Sequence, residues 1–211
     1  MEGRRSYENW LFGVVGLLGL ACSSAHWDYE HSLSDPDVHC TSLGTCLSEC
    51  DAGDKHACGA IGVMYETGEA GETDYRRAAQ YYELSCRQGL AQGCAHLGVM
   101  HEIGLFFSQD DEAAAELYEQ ACDAGDVHAC ANLALKYREG LGVRRDLSHA
   151  AFLFRKACEG HHAHSCSKLA FMYLDGSGVD QDRDEVLSLF QAACSEGEDW
   201  ACEKSARLSA E

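Results

Sequence analysis

The sequence predicts an all-α solenoid built from helix–loop–helix repeats, and a strict internal period carries that prediction. A pair of cysteines eight residues apart recurs five times at a constant step of 36 residues, and the first members are Cys50, Cys86, Cys122, Cys158 and Cys194. Periods of this length are typical of solenoids, in which each unit packs on its neighbours. The step predicts about 4.5 units, namely 50–85, 86–121, 122–157, 158–193 and a half unit 194–211.

Each unit is predicted to hold two helices. When the first cysteine is counted as position 0, positions 8, 11, 12 and 15 have the spacing of one helix face, and positions 28, 32 and 35 form a second stripe. A glycine at position 18 ends the first helix because glycine tolerates the left-handed conformation, and an aspartate at position 24 caps the second helix. These residues are Gly68, Gly104, Gly140 and Gly176, followed by Asp74, Asp110, Asp146 and Asp182.

Composition excludes several classes of protein. The 211 residues include 35 acidic and 16 basic side chains, a formal charge of −19, which argues against binding to nucleic acid or to anionic lipid headgroups. The chain is 46% hydrophobic, which is too apolar for a disordered acidic tail. Its 13 cysteines indicate either metal binding or an oxidising compartment with one unpaired cysteine.

The N-terminus predicts export. Arg4 and Arg5 precede an uncharged run from Trp10 to Ala21, which is too short to span a bilayer and is typical of a secretory signal. The run ends in Leu-Gly-Leu-Ala-Cys, which resembles the bacterial lipobox, so residues 1–21 are predicted to be a lipoprotein signal peptide and Cys22 the lipidated residue.

The alternative to lipidation is an ordinary signal peptide in which Cys22 is incidental. Ser23, in place of aspartate after the cysteine, resembles sorting to the outer membrane, on the side that faces the periplasm. Residues 22–39 are then a polar tether, and residues 40–49 an N-terminal cap or half repeat.

Ten of the other twelve cysteines are predicted to form five disulfides. Within each pair, the first cysteine ends one helix and the second begins the next, so a tight turn can bring them within disulfide reach. Zinc sites more commonly separate paired ligands by two to four residues, so no metal or cofactor is predicted. The five repeat bridges are Cys50–Cys58, Cys86–Cys94, Cys122–Cys130, Cys158–Cys166 and Cys194–Cys202. Cys40 and Cys46 either pair with each other or remain free thiols.

The pattern of residues 50–211 resembles the Sel-1-like repeat, a relative of the tetratricopeptide repeat, and the spacing of the paired cysteines resembles the Helicobacter cysteine-rich protein family. The resemblance implies a right-handed superhelical scaffold that binds an unidentified protein or peptide. It also implies that the first helix of each unit lines the concave face. The groove residues predicted on that basis are His56, Gln92, His96, His128, Asn132, His164, Lys168, Phe171, Trp200 and Lys204.

The same resemblance supplies an enzymatic alternative, because some cysteine-rich relatives are described as penicillin-binding proteins or weak β-lactamases. The segment from Ser165 to Lys168 matches the S-x-x-K motif of serine β-lactamases, but the S-D-N and K-T-G motifs are missing from the sequence. Ser165 also occupies a position at which the other units carry alanine or glycine. A non-catalytic scaffold is therefore predicted, with a β-lactamase-like hydrolase or a binder of penicillin or peptidoglycan fragments as the alternative. A third possibility is that the acidic convex face is the functional surface.

Overall fold

The computed structural model describes residues 40–210, which form ten α-helices and no strand within that range. The predicted signal peptide, the lipidation site Cys22 and the polar tether lie outside the described residues. The helices are α1 (Leu43–Asp51), α2 (Lys55–Thr67), α3 (Tyr75–Arg87), α4 (Ala91–Ile103), α5 (Asp111–Asp123), α6 (Val127–Glu139), α7 (Leu147–Glu159), α8 (Ala163–Asp175), α9 (Arg183–Ser195) and α10 (Asp199–Ser209).

Consecutive helices pack on each other along the whole described chain. Helices α2 to α9 form four pairs of 13-residue helices, with α1 as a half repeat before them and α10 as a half repeat after them. The predicted all-α repeat solenoid is confirmed. We call α2, α4, α6, α8 and α10 the first helices, and α3, α5, α7 and α9 the second helices.

The predicted helix boundaries are confirmed in every full unit. The first helices end at glycines in the left-handed conformation, with φ between 75° and 85°. Each second helix begins after an aspartate whose carboxylate accepts backbone N–H hydrogen bonds of its first turn. The local sequence therefore sets the helix lengths, and stacking then buries their apolar faces.

One turn between units departs from the glycine pattern. In the other turns a glycine takes a positive φ, whereas His161 does so here, with a φ of 68°. The glycine of this turn, Gly160, lies against Val127 so closely that a Cβ would clash with its side chain. The close approach of two units therefore accounts for the shifted glycine.

The core repeats one contact, between an aromatic ring of a second helix and a small residue of the preceding first helix. Tyr82, Tyr118, Phe154 and Phe190 are fully buried. A Cβ added at Gly98 would lie 2.8 Å from the ring of Tyr118, so only glycine admits this ring position. The other small residues at the same repeat position are Gly62, Ala134 and Ala170.

The two tyrosines also carry a polar contact. Tyr118 donates its hydroxyl hydrogen to Glu102 at 2.6 Å, and Tyr82 donates to Glu66 in the same way. Units three and four have phenylalanine at the aromatic position and Arg138 or Leu174 in place of the glutamate. Three repeat positions therefore change together between the second and third units. Glycine becomes alanine, tyrosine becomes phenylalanine, and the glutamate is replaced by a residue that is not acidic.

Six disulfides are present in the described residues: five join the end of one helix to the beginning of the next, and one ties the residue before α1 to α1. The five repeat bridges have Cα–Cα distances of 4.6 to 4.8 Å, and Cys40 is joined to Cys46 at 5.1 Å. Each repeat bridge closes the turn from a second helix to the following first helix. None of the helices in residues 40–210 has the length and apolarity that crossing a bilayer requires.

Candidate binding cleft

A cleft of about 460 Å³ opens on the surface formed by the first helices, between α6, α8 and α10. Four of the predicted groove residues line it, namely His164, Lys168, Phe171 and Trp200. Three of them project from α8 at intervals of three and four residues, because that spacing places side chains on one face of a helix. We call this site the C-terminal cleft.

An aromatic wall forms one side of the C-terminal cleft. The rings of Phe171 and Trp200 stack with centroids 5.9 Å apart and an interplanar angle of 12°, and each residue is 43% exposed. The buried ring of Phe190 meets both at right angles, with centroids 5.3 and 5.7 Å away. The wall is therefore held by the core while part of each ring remains exposed to solvent.

Basic side chains share the cleft with the wall. Lys168, Arg138 and Arg145 line the cleft together with two carboxylates, Glu139 and Asp175. Arg138 pairs with Glu139 at 2.8 Å, and Nε of Arg145 donates to the carbonyl oxygen of Arg138 at 3.0 Å. The cleft thus has a small excess of positive charge in a chain whose formal charge is −19.

A polar cluster fixes α10 against α8. Nδ1 of His164 lies 2.9 Å from Oε1 of Glu198, and Ser167 donates its hydroxyl hydrogen to the other carboxylate oxygen. Glu198 is the N-cap residue of α10, two residues before Trp200. These contacts set the position of the aromatic wall.

The structure buries two of the predicted groove residues. His96 is 5% exposed and Asn132 is 7% exposed. The ring of His96 stacks on Tyr82 with centroids 4.4 Å apart, and its Nδ1 lies 3.6 Å from Glu66. The prediction that these two side chains line an open groove is therefore wrong, because His96 and Asn132 contact the buried tyrosines of the preceding second helices, Tyr82 and Tyr118.

The remaining predicted groove residues do not line the C-terminal cleft. His56, Gln92 and His128 are partly buried on α2, α4 and α6. Lys204 is partly buried on α10. The candidate site therefore lies at one end of the solenoid, whereas the sequence predicted a groove lined by residues along its whole length.

The three histidines at the start of α8, two in the preceding turn and His164 in the first turn of the helix, have separate partners. His161 lies 2.8 Å from Glu196, and His164 contacts Glu198 as described above. His162 caps α8, since its Nδ1 accepts the backbone N–H of Ser165 at 3.2 Å. In residues 40–210 no group of three or more His, Cys, Asp or Glu side chains is placed to hold a metal ion.

The S-x-x-K segment does not present a nucleophile. Ser165 is fully buried, and its hydroxyl lies 2.7 Å from Nδ1 of His162. Lys168 lines the cleft, but Ser165 packs inside the turn that begins α8. An external substrate has no access to the serine hydroxyl in this arrangement.

Sequence reasoning missed a buried charged network in the middle of the solenoid. Nζ of Lys136 lies 2.7 Å from both Glu102 and Asp111, and its side chain is almost fully buried. Burial raises the pKa of the Tyr118 hydroxyl that donates to Glu102, with the glutamate adding to the shift. The corresponding residues of the other full units are methionines (Met64, Met100 and Met172), so the lysine was a visible departure from the repeat.

The groove predicted from the sequence also lacked the two arginines of the cleft. Arg138 and Arg145 lie at the end of α6 and in the loop that follows it. The cleft reaches this loop, although the predicted groove used only selected positions of the first helices.

Comparison with solved structures places the fold among known repeat proteins. A protective antigen of uropathogenic Escherichia coli with an SLR fold has a TM-score of 0.74 at 25% identity; the match covers 78% of this chain and 35% of the antigen. A Sel1 repeat protein from Oxalobacter formigenes has a TM-score of 0.71 at 22% identity, covering 77% and 66%. Cysteine rich protein B of Helicobacter pylori has a TM-score of 0.50 at 24% identity, covering 60% and 91%. The latter two likenesses show the fold alone.

The chain spans about a third of the length of the E. coli antigen. No curated protein matches the sequence. The Sel1 repeat family matches four consecutive segments of 36 residues, namely 55–90, 91–126, 127–162 and 163–198, each of which begins where a first helix begins. On this evidence the chain belongs to the Sel1 repeat family.

Proposed function

We propose that this protein is a non-catalytic scaffold lipoprotein of the cell envelope that binds a peptide segment of another protein in the C-terminal cleft. The observation that carries the proposal is the exposed, stacked pair of Phe171 and Trp200 inside a cleft with basic side chains. Exposed aromatic rings beside basic side chains are typical of binding sites, because aromatic residues and arginine supply much of the binding energy at interfaces.

The cleft favours a segment in which a ring or branched apolar side chain lies close to a carboxylate. Stacking on an aromatic pair contributes about 0.5–1.5 kcal/mol beyond the burial of area. Lys168 and Arg145 add attraction for a carboxylate and exclude segments that carry a basic residue at the same point.

The cell envelope is favoured by the disulfides and by the sequence that precedes them. Six disulfides are typical of an oxidising, extracytoplasmic compartment. Cys22 is the proposed anchor, in the outer membrane with the repeats facing the periplasm. Labelling of cells with an alkyne fatty acid tests the anchor: the wild-type chain incorporates the label and Cys22→Ser does not, whereas equal labelling of the two contradicts the assignment.

The β-lactamase-like alternative is disfavoured by the burial of Ser165. We expect no nitrocefin turnover by the chain that begins at Ser23. Turnover that is lost in Ser165→Ala would overturn the non-catalytic assignment.

Photocrosslinking from two matched positions tests the binding surface. Phe171 on α8 and Phe152 on α7 are both exposed phenylalanines, but only Phe171 lies in the cleft. With a photoreactive phenylalanine analogue at either position, we expect one discrete crosslinked protein from position 171 and none from position 152. Loss of that product in Lys168→Glu supports recognition of a carboxylate. Crosslinks from position 152 alone would instead assign binding to the opposite face.

A further inference from the structure

The sequence before the solenoid has the chemistry that the C-terminal cleft favours. Residues 23–39, the N-terminal acidic segment, contain no lysine or arginine and four acidic residues. The two aromatic residues of the segment, Trp27 and Tyr29, alternate with two of the acids, Asp28 and Glu30. Rings and carboxylates therefore occur side by side, as they do in the ligand that the cleft is proposed to bind.

The charge distribution distinguishes the cleft from the rest of the repeats. Residues 40–211 contain 29 acidic and 14 basic residues, a net charge of −15, which repels an acidic segment from most of the surface. The C-terminal cleft combines three basic side chains and two carboxylates with two exposed aromatic rings, so that basic groups outnumber acidic ones among its lining residues. We propose that the N-terminal acidic segment of the same chain occupies the C-terminal cleft and competes with the partner, an inference that rests on the proposed function of that cleft.

The length of the segment permits this contact within one chain. Trp27 to Glu30 lie 10 to 13 residues before Cys40, and an extended stretch of that length spans about 35–45 Å. The cleft lies three units along the solenoid from α2, and each layer of helices adds about one helix diameter, 10–12 Å, or roughly 35 Å in all. The first residue of the described chain, Cys40, is tied by its disulfide to α1, so the segment starts from a fixed point.

Attachment to the same chain makes weak binding effective. A segment attached to the same chain through a short linker has an effective concentration in the millimolar range, so even a modest affinity keeps the cleft mainly occupied. If the segment binds with a Kd about a tenth of its effective concentration, it lowers the apparent affinity of a competing peptide about tenfold. The partner then binds only when it displaces the segment.

A competition experiment tests the proposal on the chain from residue 22 with Cys22→Ser. The probe is a fluorescein-labelled synthetic peptide with the sequence of residues 23–39, followed by fluorescence anisotropy. In one variant the four acids of the attached segment are neutralised (D28N, E30Q, D35N and D37N), and in a control variant two serines are replaced (S32A and S34A). We expect the probe to bind the neutralised variant about tenfold more tightly than the control, because the cleft is no longer occupied.

Two further measurements locate the contact. Adding Lys168→Glu and Arg145→Glu to the neutralised variant abolishes probe binding if the cleft is the site, with circular dichroism to check the fold. The chain from residue 22 holds two tryptophans, Trp27 and Trp200. We expect neutralisation of the segment to shift the indole NMR signal of Trp200. In the unmodified chain that signal should not change on dilution, because the contact lies within one chain.

Three outcomes would overturn the proposal. They are equal probe affinity for the neutralised and control variants, no probe binding to any variant, and a Trp200 signal that changes on dilution, which would show that the segment comes from a second copy. The crosslinking from Phe171 is independent of all three, because it detects a partner protein. Failure of the competition experiment with a retained crosslink therefore removes the self-binding segment and leaves the proposed function in place.

Discussion

The ring of Phe171 lies nearly parallel to the indole of Trp200, with centroids 5.9 Å apart and an interplanar angle of 12°. This pair joins α8 of the last full unit to α10 of the half unit, and both rings contact the buried Phe190. The same contact therefore supports the end of the solenoid and forms the wall of the C-terminal cleft.

Replacing Trp200 with alanine should affect binding more than stability. The ring is 43% exposed, so its loss should lower the free energy of unfolding by about 1–2 kcal/mol, from the aromatic contacts and partial burial. We expect the crosslink from position 171 to fall at least tenfold. Phe152→Ala is the matched control, and it should leave the crosslink unchanged; an equal fall in both variants would contradict a role for the aromatic wall.

Lys136→Met should destabilise the protein even though methionine occupies this position in the other full units. The substitution leaves the partly buried Glu102 and Asp111 without the ammonium that neutralises them, and breaking a fully buried ion pair, the upper limit for this site, costs about 3–5 kcal/mol. Urea unfolding should show the loss. Adding Glu102→Gln to Lys136→Met should recover part of it, and an undiminished loss in the double variant would contradict the ionic explanation.

Gly98→Ala should be costly only while Tyr118 is present. The added Cβ lies 2.8 Å from the tyrosine ring, which cannot move away because its hydroxyl is bonded to Glu102. Overpacking of this kind costs about 1–3 kcal/mol. In the Tyr118→Phe background the ring is released, and units three and four already combine alanine with phenylalanine. A double-mutant cycle should therefore give a smaller cost for Gly98→Ala in that background, whereas equal costs would exclude the coupling.

Protonation of His101 should lower the free energy of unfolding in mild acid relative to neutral pH. Burial lowers the pKa of His101 below its ordinary value, with Asp110 opposing the shift, and its buried Nδ1 has no hydrogen-bond partner in the described part of the chain. Because the pKa is lower in the folded state, the unfolded state binds the proton first. This contribution to stability is complete above the unfolded pKa of about 6.5 and is lost as the pH falls through the folded value.

His101→Tyr checks this contribution, since tyrosine is the residue at this position in the other full units. Urea unfolding at pH 7.5 and pH 5 should show a smaller loss of stability in acid for this variant than for the wild type. His161→Gln replaces an exposed histidine and should keep the acid loss of the wild type. An unchanged acid loss in His101→Tyr would assign the sensitivity to other groups.

The repeat disulfides should contribute equally to the free energy of unfolding, because each constrains the unfolded chain to the same extent. Their contributions to binding should differ. Each closes a loop of the same length, for which chain entropy gives about 2–3 kcal/mol. We expect similar losses of unfolding free energy when either the Cys122–Cys130 or the Cys194–Cys202 bridge is replaced by a pair of serines. Only the second replacement opens the loop that contains Glu198 and Trp200, which lie between Cys194 and Cys202, so only it should also reduce the crosslink from position 171.

The sequence by itself determined the helices, their order and the places where the chain turns. It did so because these features depend on local chemistry that recurs every 36 residues: glycine for a left-handed C-cap, aspartate for an N-cap, and apolar residues at helical spacing. The cysteine pairs could be predicted for the same reason, since each pair spans a single short turn. Even the change from glycine with tyrosine in the first two units to alanine with phenylalanine in the last two is visible in the aligned units.

Only the tertiary structure decided which side chains are accessible. His96 and Lys168 occupy the same position of their units, but His96 is buried on Tyr82 whereas Lys168 lines the C-terminal cleft. A repeat pattern gives the direction of a side chain relative to its own helix, whereas burial depends on what the neighbouring units place against it. Arg138, Arg145 and Trp200 form one site for the same reason, since side chains from two helices and a loop meet there through stacking of three successive units.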